Sequence, residues 1–396
     1  MEVMIKDPLF FVKPILLLIS CFTFINYEVS AQQVKMVDAQ ATAKTQNLYQ
    51  NLFKLSKSGM MFGHQDDLAY GVGWWNEADE SDVKRITGKY PAVFGWDLGV
   101  IETGRHFNID TVDFKNMRKW IKKAYKMGSI NTISWHLNNP VNGANSWDKT
   151  PSVKQILPGG EFHATYVDYL DKVADFIKKC KVGFTPIPIV FRPFHEHNGN
   201  WFWWGKGLAS EEDYIQLYRF TVSYLRDERN IHQLIYAYSP DRSRLDMSTP
   251  ETSYFYGYPG DDYVDIIGLD NYWDVGHGSN NASIEEQQEQ FRKSLELINK
   301  IAQEKGKVAA LTETGSFGVK DKEWFSKSIL EPMEASGDDL KIAWMLVWRN
   351  RFRKETFTPY AKHPAVEDFQ KFEDEDMTLF SGDFQNVYKN NKPLIK

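Results

Sequence analysis

The chain of 396 residues carries 47 basic and 53 acidic side chains, a formal net charge of −6 with no long block of either sign. That balance excludes nucleic-acid binding through a basic footprint, and 42% hydrophobic residues supply the apolar surface of one large domain. Aromatic residues reach 15%; flat rings with one polar edge suit the faces of sugars as well as a core.

Residues 1–31 have the order of an export signal: Lys6 and Lys13, the apolar run Ile15 to Ile25, then the small residues Val29-Ser30-Ala31. The run is too short to span a bilayer. Leu18-Ile19-Ser20-Cys21 also resembles a bacterial lipoprotein box, which would remove residues 1–20 and lipidate Cys21. Either reading exports the chain as a secreted, periplasmic or lipid-anchored outer-membrane protein. Cys180 is the one other cysteine, so no disulfide framework is available.

Helical spacing then runs from Ala39 to Lys57 through Leu48, Leu52 and Leu55. After it come eight apolar runs, each ending in polar or aromatic groups. Met60 to Gly63 ends at His64-Gln65-Asp66-Asp67, Ala92 to Leu98 at Asp97 and Glu102, and Ile130 to Trp135 at His136, Asn138 and Asn139. Ile187 to Phe191 ends at Arg192, His195 and Glu196, and Gln233 to Tyr238 at Ser239-Pro240-Asp241. Val264 to Leu269 ends at Asp270-Asn271-Tyr272, Lys307 to Leu311 at Thr312-Glu313, and Ile342 to Val347 at Trp348-Arg349-Asn350.

Helical stretches separate them: Glu80 to Lys89, Thr111 to Met127, His163 to Cys180, Glu211 to Arg226, Ile284 to Lys305 and Lys322 to Ala335. Strands alternating with helices predict parallel βαβ units, and eight of them predict a closed (β/α)8 barrel of the TIM type, whose polar loops share one mouth. An open doubly wound sheet would bring a glycine-rich phosphate turn, which Gly59 to Gly63 lacks. The expected organisation is one catalytic domain over residues 38–372, with a tail of residues 373–396 packed on the barrel exterior.

In such a barrel Glu196 and Glu313 enter one cleft from different walls, and paired carboxylates across a cleft are the apparatus of glycoside hydrolysis. Trp201, Trp203 and Trp204 follow Glu196; indoles on the cleft wall would desolvate it and keep it protonated as the acid. Glu313 stands between Thr312 and Thr314 with Gly315 behind it, which suits a charged nucleophile. A gap of about 5 Å would mean retention and a wider one inversion, and sequence does not measure the gap. Tyr272 is placed to donate to Glu313, Trp348 to floor the mouth above Trp344, and His136, Asn139, Asp270 and Arg349 to support it. Asp97 and Glu102 either reach a distant sugar or are structural. A zinc site using His195 and Glu196 is disfavoured, because Phe194-His195-Glu196-His197 is not the helical two-histidine pattern. A non-catalytic carbohydrate-binding protein is the rival from another class.

The run Arg192-Pro193-Phe194-His195-Glu196 with Asn198-Gly199-Asn200-Trp201-Phe202-Trp203-Trp204-Gly205 resembles the acid/base segment of glycoside hydrolase family 26, mostly β-mannanases. Trp135-His136-Leu137-Asn138-Asn139-Pro140, Leu269-Asp270-Asn271-Tyr272, Thr312-Glu313-Thr314-Gly315 and Trp348-Arg349-Asn350 resemble its other cleft segments in the same order. The resemblance implies a retaining double displacement on internal β-1,4-mannosidic bonds, with Glu196 as acid/base, Glu313 as nucleophile and no required metal or cofactor. It further implies that His195 bonds near the nucleophile and sugar and that Trp201 packs at a leaving-group site. His136 would contact a glycone sugar, Tyr272 would hold Glu313, Trp348 would stack under the reacting mannose, and Arg349 would support nearby sugars. The expected partner is a mannan-type polysaccharide, bound by a monomer. Mannobiose-releasing, β-1,3-xylan and mixed-linkage glucan enzymes share the family; Asn142 to Glu161 and Asp241 to Asp262 are the insertions that could block one end of the cleft.

Overall fold

A computed structural model describes residue 1, residues 35–390 and residues 393–396. The export-signal and Cys21 readings fall on a segment outside the described residues.

The eight runs form β1 (Met60–Gln65), β2 (Val93–Asp97), β3 (Ile130–Trp135), β4 (Ile189–Pro193), β5 (Leu234–Tyr238), β6 (Ile266–Asn271), β7 (Val308–Thr314) and β8 (Ile342–Val347). Each lies parallel to the next, and β8 returns to β1 with Met61 opposite Trp344 and His64 opposite Val347. The sheet therefore closes into the eight-stranded barrel. All eight strands are buried along their whole length. Burial on both faces is why most of them read as apolar runs that turn polar only toward the end, Ile130–Trp135 with Asn131, Thr132 and Ser134 being the exception.

Inward residues, among them Val93, Val190, Ile266, Val308 and Trp344, fill the barrel, and the outward ones pack under the helices. Local chemistry sets the helix ends. Phe114–Met127 starts three residues later than its periodicity suggested, because the Asp113 carboxylate accepts from the Asn116 N–H at 2.8 Å; Gly128 ends it at φ 86°. A reciprocal Ser283–Glu286 capping box opens Ile284–Lys305. The stretch Lys322 to Ala335 is a π-helical turn, Phe325–Leu330, followed by Glu331–Ala335.

Three helices were not legible in the sequence, the four-residue Val153–Ile156 within the Asn142 to Glu161 insertion among them. Pro250–Tyr254 lies inside the segment taken as the Asp241 to Asp262 insertion, and five residues are too few to show a period. Val366–Asp374 crosses the boundary expected at residue 373. Its Phe369 and Phe372 rings pack 5.2 and 5.7 Å from Phe62. The chain then adds Thr378–Leu379 beside β1 and sends Phe384, Val387 and Tyr388 under the barrel with Leu48, Leu52 and Leu55. The Asn51 amide donates to the carbonyls of Val387 and Lys389, both at 2.9 Å. The tail thus packs on the barrel, at its floor. With that end plugged, the C-terminal ends of the strands are left as the mouth.

Candidate active site

Beyond Pro193, β4 turns through Phe194 and Glu196 at φ 51° and 54°, a left-handed conformation that side-chain-bearing residues rarely adopt and that concentrates at functional sites. The turn is pinned on both sides. The Glu196 N–H donates to Ser239 O at 2.8 Å, and two bonds of 2.7 and 2.8 Å clamp Asn198 to the Asp241 backbone. His197 stacks 4.2 Å from Tyr214, and burial lowers its pKa to about 4, so it anchors the turn as a neutral ring.

Glu196 is thereby directed into a cleft of about 800 Å³ whose walls include Trp201, Arg244, Tyr272, Trp273 and Phe317. Carboxylate oxygens of Glu196, Asp270 and Glu313 all lie within 4.8 Å of one another. That separation matches the roughly 5 Å of a direct-attack pair and leaves no room for the intervening water an inverting pair needs.

The two glutamates are electrostatically unlike. Burial, and after it the negative charges of Asp241, Asp270 and Glu313, hold the Glu196 pKa well above the ordinary carboxylate range. Glu313 accepts a charged bond from Arg192 at one oxygen and the Tyr272 hydroxyl at the other, the latter at 2.9 Å. Glu196 favours its protonated form, whereas Glu313 is held between a cation and a phenol donor.

The indoles divide differently from the sequence expectation. Only Trp201 reaches Glu196, donating from Nε1 to Oε2 at 2.6 Å, a bond that favours the charged form and so opposes the pKa rise. Trp203 and Trp204 are fully buried and donate to the Leu137 and His195 carbonyls at 3.1 and 3.0 Å. They are core residues, not cleft wall. Six-membered ring atoms of Trp201 rest against Gly199, where a Cβ would come within 2.3 Å of them, and the Arg244 guanidinium lies 5.2 Å from the indole centroid.

Three support residues also take other positions. Asp270, expected among the polar supports of the mouth and its bound sugar, is completely buried. It accepts from Arg192 and the Thr312 hydroxyl, both at 2.7 Å, and so positions the arginine that holds Glu313. Arg349 pairs through Nη2 with Asp110 and Glu355 at 3.1 and 2.8 Å, while its Nε has no partner among the described residues. His195 is buried with Nδ1 unpartnered, and among the described residues no hydrogen bond joins it to Glu313. Burial and the neighbouring Arg192 cation hold its pKa well below the usual histidine value.

His136 Nδ1 meets Asp97 at 2.8 Å. Burial alone would depress its pKa; the Asp97 carboxylate outweighs that and raises it. Its ring lies 4.6 Å from His195, 5.5 Å from exposed Trp147 and 6.2 Å from half-buried Trp348. Asp97 and Glu102 are buried and structural: Asp97 also accepts from the Ser134 hydroxyl, and Glu102 from the Asn138 N–H, at 2.6 and 2.7 Å. Behind Glu313, Gly315 has φ 138°, and a side chain there would strike Phe357 at 2.6 Å.

Arg192 and Asp241 stood in the sequence as polar strand ends without an assigned role, and Trp147 was not singled out. Arg192 carried a signal, since an arginine inside a buried strand must have acidic partners. Trp147 and Asp241 sit in irregular loops, where no periodicity indicates direction. Among the described residues, the grouping of at least three potential metal ligands is Glu196, Asp270 and Glu313, with no histidine or cysteine. Arg192 already bonds two of these three, so a cation there would displace its contacts.

Arg192→Met removes the counter-charge of two buried carboxylates at once, a loss of about 3–5 kcal/mol in stability. Urea unfolding checks it: the midpoint falls markedly in Arg192→Met and less in Arg192→Lys, whereas an unchanged midpoint in the former contradicts the counter-ion role.

An eight-stranded barrel with two close acids in unlike surroundings at its mouth has the arrangement of the two-carboxylate glycoside hydrolases. The sequence profile of glycosyl hydrolase family 26 matches residues 37–330, and the chain belongs to that family. It is 34% identical over 385 residues to a mannan endo-1,4-β-mannosidase of Bifidobacterium adolescentis, covering 92% of this chain and 37% of that much longer protein. A mannan endo-1,4-β-mannosidase of Bacillus subtilis is 33% identical, over 61% of this chain and 67% of its own length. In three dimensions, a GH26 β-mannanase from Bacteroides ovatus superposes with a TM-score of 0.81 and 38% identity, over 88% of this chain and 98% of that one.

Proposed function

We propose that the chain is an endo-acting β-1,4-mannanase that cleaves mannan, glucomannan or galactomannan with retention of configuration. The observation that carries this reading is the pair Glu196 and Glu313, within 4.8 Å, the first with its pKa raised by burial and the second bonded by Arg192 and Tyr272. Relatives named mannan endo-1,4-β-mannosidases support the choice of sugar.

Protonated Glu196 gives its proton to the glycosidic oxygen as that bond breaks, and the Glu313 carboxylate bonds to the anomeric carbon. The leaving chain departs as an alcohol. Glu196, now a carboxylate, takes a proton from water, whose oxygen displaces Glu313 and releases the sugar with its original configuration. Arg192 and Tyr272 hold the Glu313 oxygens throughout, while His136, Trp147 and Trp348 offer rings to the glycone side. The enzyme acts as a monomer outside the cytoplasm, delivered by residues 1–31 as an export signal or anchored through lipidated Cys21.

Products followed over time on linear mannan, galactomannan, β-1,3-xylan and mixed-linkage glucan test the proposal. Mixed manno-oligosaccharides appear early from the two mannans. Mannobiose as the sole early product would refute endo action, and faster hydrolysis of the xylan or glucan would refute the sugar assignment.

A further inference from the structure

A second recess of about 210 Å³ lies beside the cleft, and Gly276 and Lys320 line both cavities. It sits between the loop after β6 and the loop after β7, so it opens from the cleft wall formed by Trp273, Phe317 and Lys320. The volume corresponds to about seven waters at liquid density, room for one monosaccharide and too little for two.

Its lining matches a neutral sugar. Ile284, 44% exposed, offers an apolar edge to a C–H face, and the Ser283–Glu286 capping box at the head of its helix fixes its place. Trp324 closes the back, its Nε1 donating to Val275 O at 2.7 Å. Ser316 and Ser328 are part of the lining, and each carries a hydroxyl that can donate or accept. The Gln288 amide nitrogen is committed to Lys327 O at 2.7 Å and Glu331 at 3.0 Å, which leaves its oxygen to accept. Lys320 has no carboxylate partner among the described residues, and Asp321 lies next to it. Asp274, the other acid in the wall, is neutralised by Arg242 at 2.8 Å. One cation and one anion leave no net charge, so the recess favours hydroxyl groups over an acidic substituent.

The cleft it adjoins is walled by Glu196 and Trp201 and not by the glycone-side rings of His136, Trp147 and Trp348; we propose that this recess accepts a single hexosyl branch, such as galactose, carried by a mannosyl residue bound on the leaving-group side of the cleft. The inference rests on the mannanase reading and adds to it a tolerance for branching at a defined place. Sugars on the leaving-group side become the new non-reducing end after cleavage. Branched products should therefore carry their galactose on one of the first mannosyl residues at that end.

Two measurements test this. Ile284 lines the recess alone, so Ile284→Trp fills it from a half-exposed helix start without touching the main cleft. The expected result is kcat/KM on linear mannan unchanged within about twofold and kcat/KM on galactomannan reduced roughly tenfold, the range a blocked subsite commands. Equal values on both substrates before and after substitution, or an equal fall on both, would overturn the proposal. Mapping galactose in the wild-type products by mass spectrometry after exo-mannosidase trimming provides the second. Branches within the first two mannosyls of the new non-reducing end support it, and their systematic exclusion from that end overturns it. Failure of the mannanase reading itself would look different, since the wild-type chain would then cleave neither mannan.

Discussion

Glu313→Gln lowers kcat on mannan by about 10⁴- to 10⁶-fold, the scale of losing a covalent nucleophile, while the protein stays folded. The amide keeps the shape of the carboxylate, so it still fills the space between Arg192 and Tyr272, and Arg192 keeps Asp270 at 2.7 Å as counter-ion. Activity and stability should therefore separate here, unlike in Arg192→Met, where stability itself falls. Glu313→Ala supplies the decisive readout. With the nucleophile gone, added azide attacks the anomeric carbon directly in one step, and an activated aryl β-mannoside yields the α-configured mannosyl azide. A β-configured azide, or near-normal turnover by Glu313→Gln, would mean that Glu313 does not form the glycosyl bond.

The barrel was legible in the sequence because a parallel strand buried on both faces is predominantly apolar and turns polar near its end. Seven of the eight strands follow that pattern; Ile130–Trp135 departs from it with Asn131, Thr132 and Ser134, of which Asn131 accepts from the Trp96 indole and Ser134 donates to Asp97. Glu196, Glu313 and Tyr272 could be placed for the same reason, since a polar residue just past a strand end has one direction open to it. What the sequence could not convey was direction one or two residues further on. Trp201, Trp203 and Trp204 are near neighbours, yet the left-handed backbone at Glu196 sends one indole to the cleft and two into the core. Asp270 and Arg349 were legible as charged strand-end residues but not as inward-facing ones, because whether such a residue meets solvent or a buried partner depends on Arg192 and Asp110, far away in the chain. The floor was missed for a simpler reason: Phe384, Val387 and Tyr388 belong to no periodic element.

Glu196→Ala removes about 10²- to 10⁴-fold of activity on mannan, whose alkoxide leaving group needs a proton, and far less of the first step on an aryl mannoside with a good leaving group. Azide rescues this variant with the opposite outcome, a β-configured product, because Glu313 still forms the intermediate. The pH profile tests why Glu196 holds its proton. The acid must be protonated in the free enzyme, so kcat/KM falls as pH rises through its elevated pKa. Burial raises that pKa first and the Asp241 charge next, while the Trp201 bond opposes both. Asp241→Asn removes a negative charge beside a group that must stay neutral, so it lowers the Glu196 pKa and moves the alkaline limb toward acid pH. Asp241 has its own pKa raised to about 6, and the difference from wild type is therefore full only above that pH. Trp201→Phe deletes a donor to the ionised carboxylate and moves the same limb toward alkaline pH. Shifts in opposite directions from two residues on the same wall identify Glu196 as the titrating group; limbs that stay in place in both variants would assign the proton to another residue.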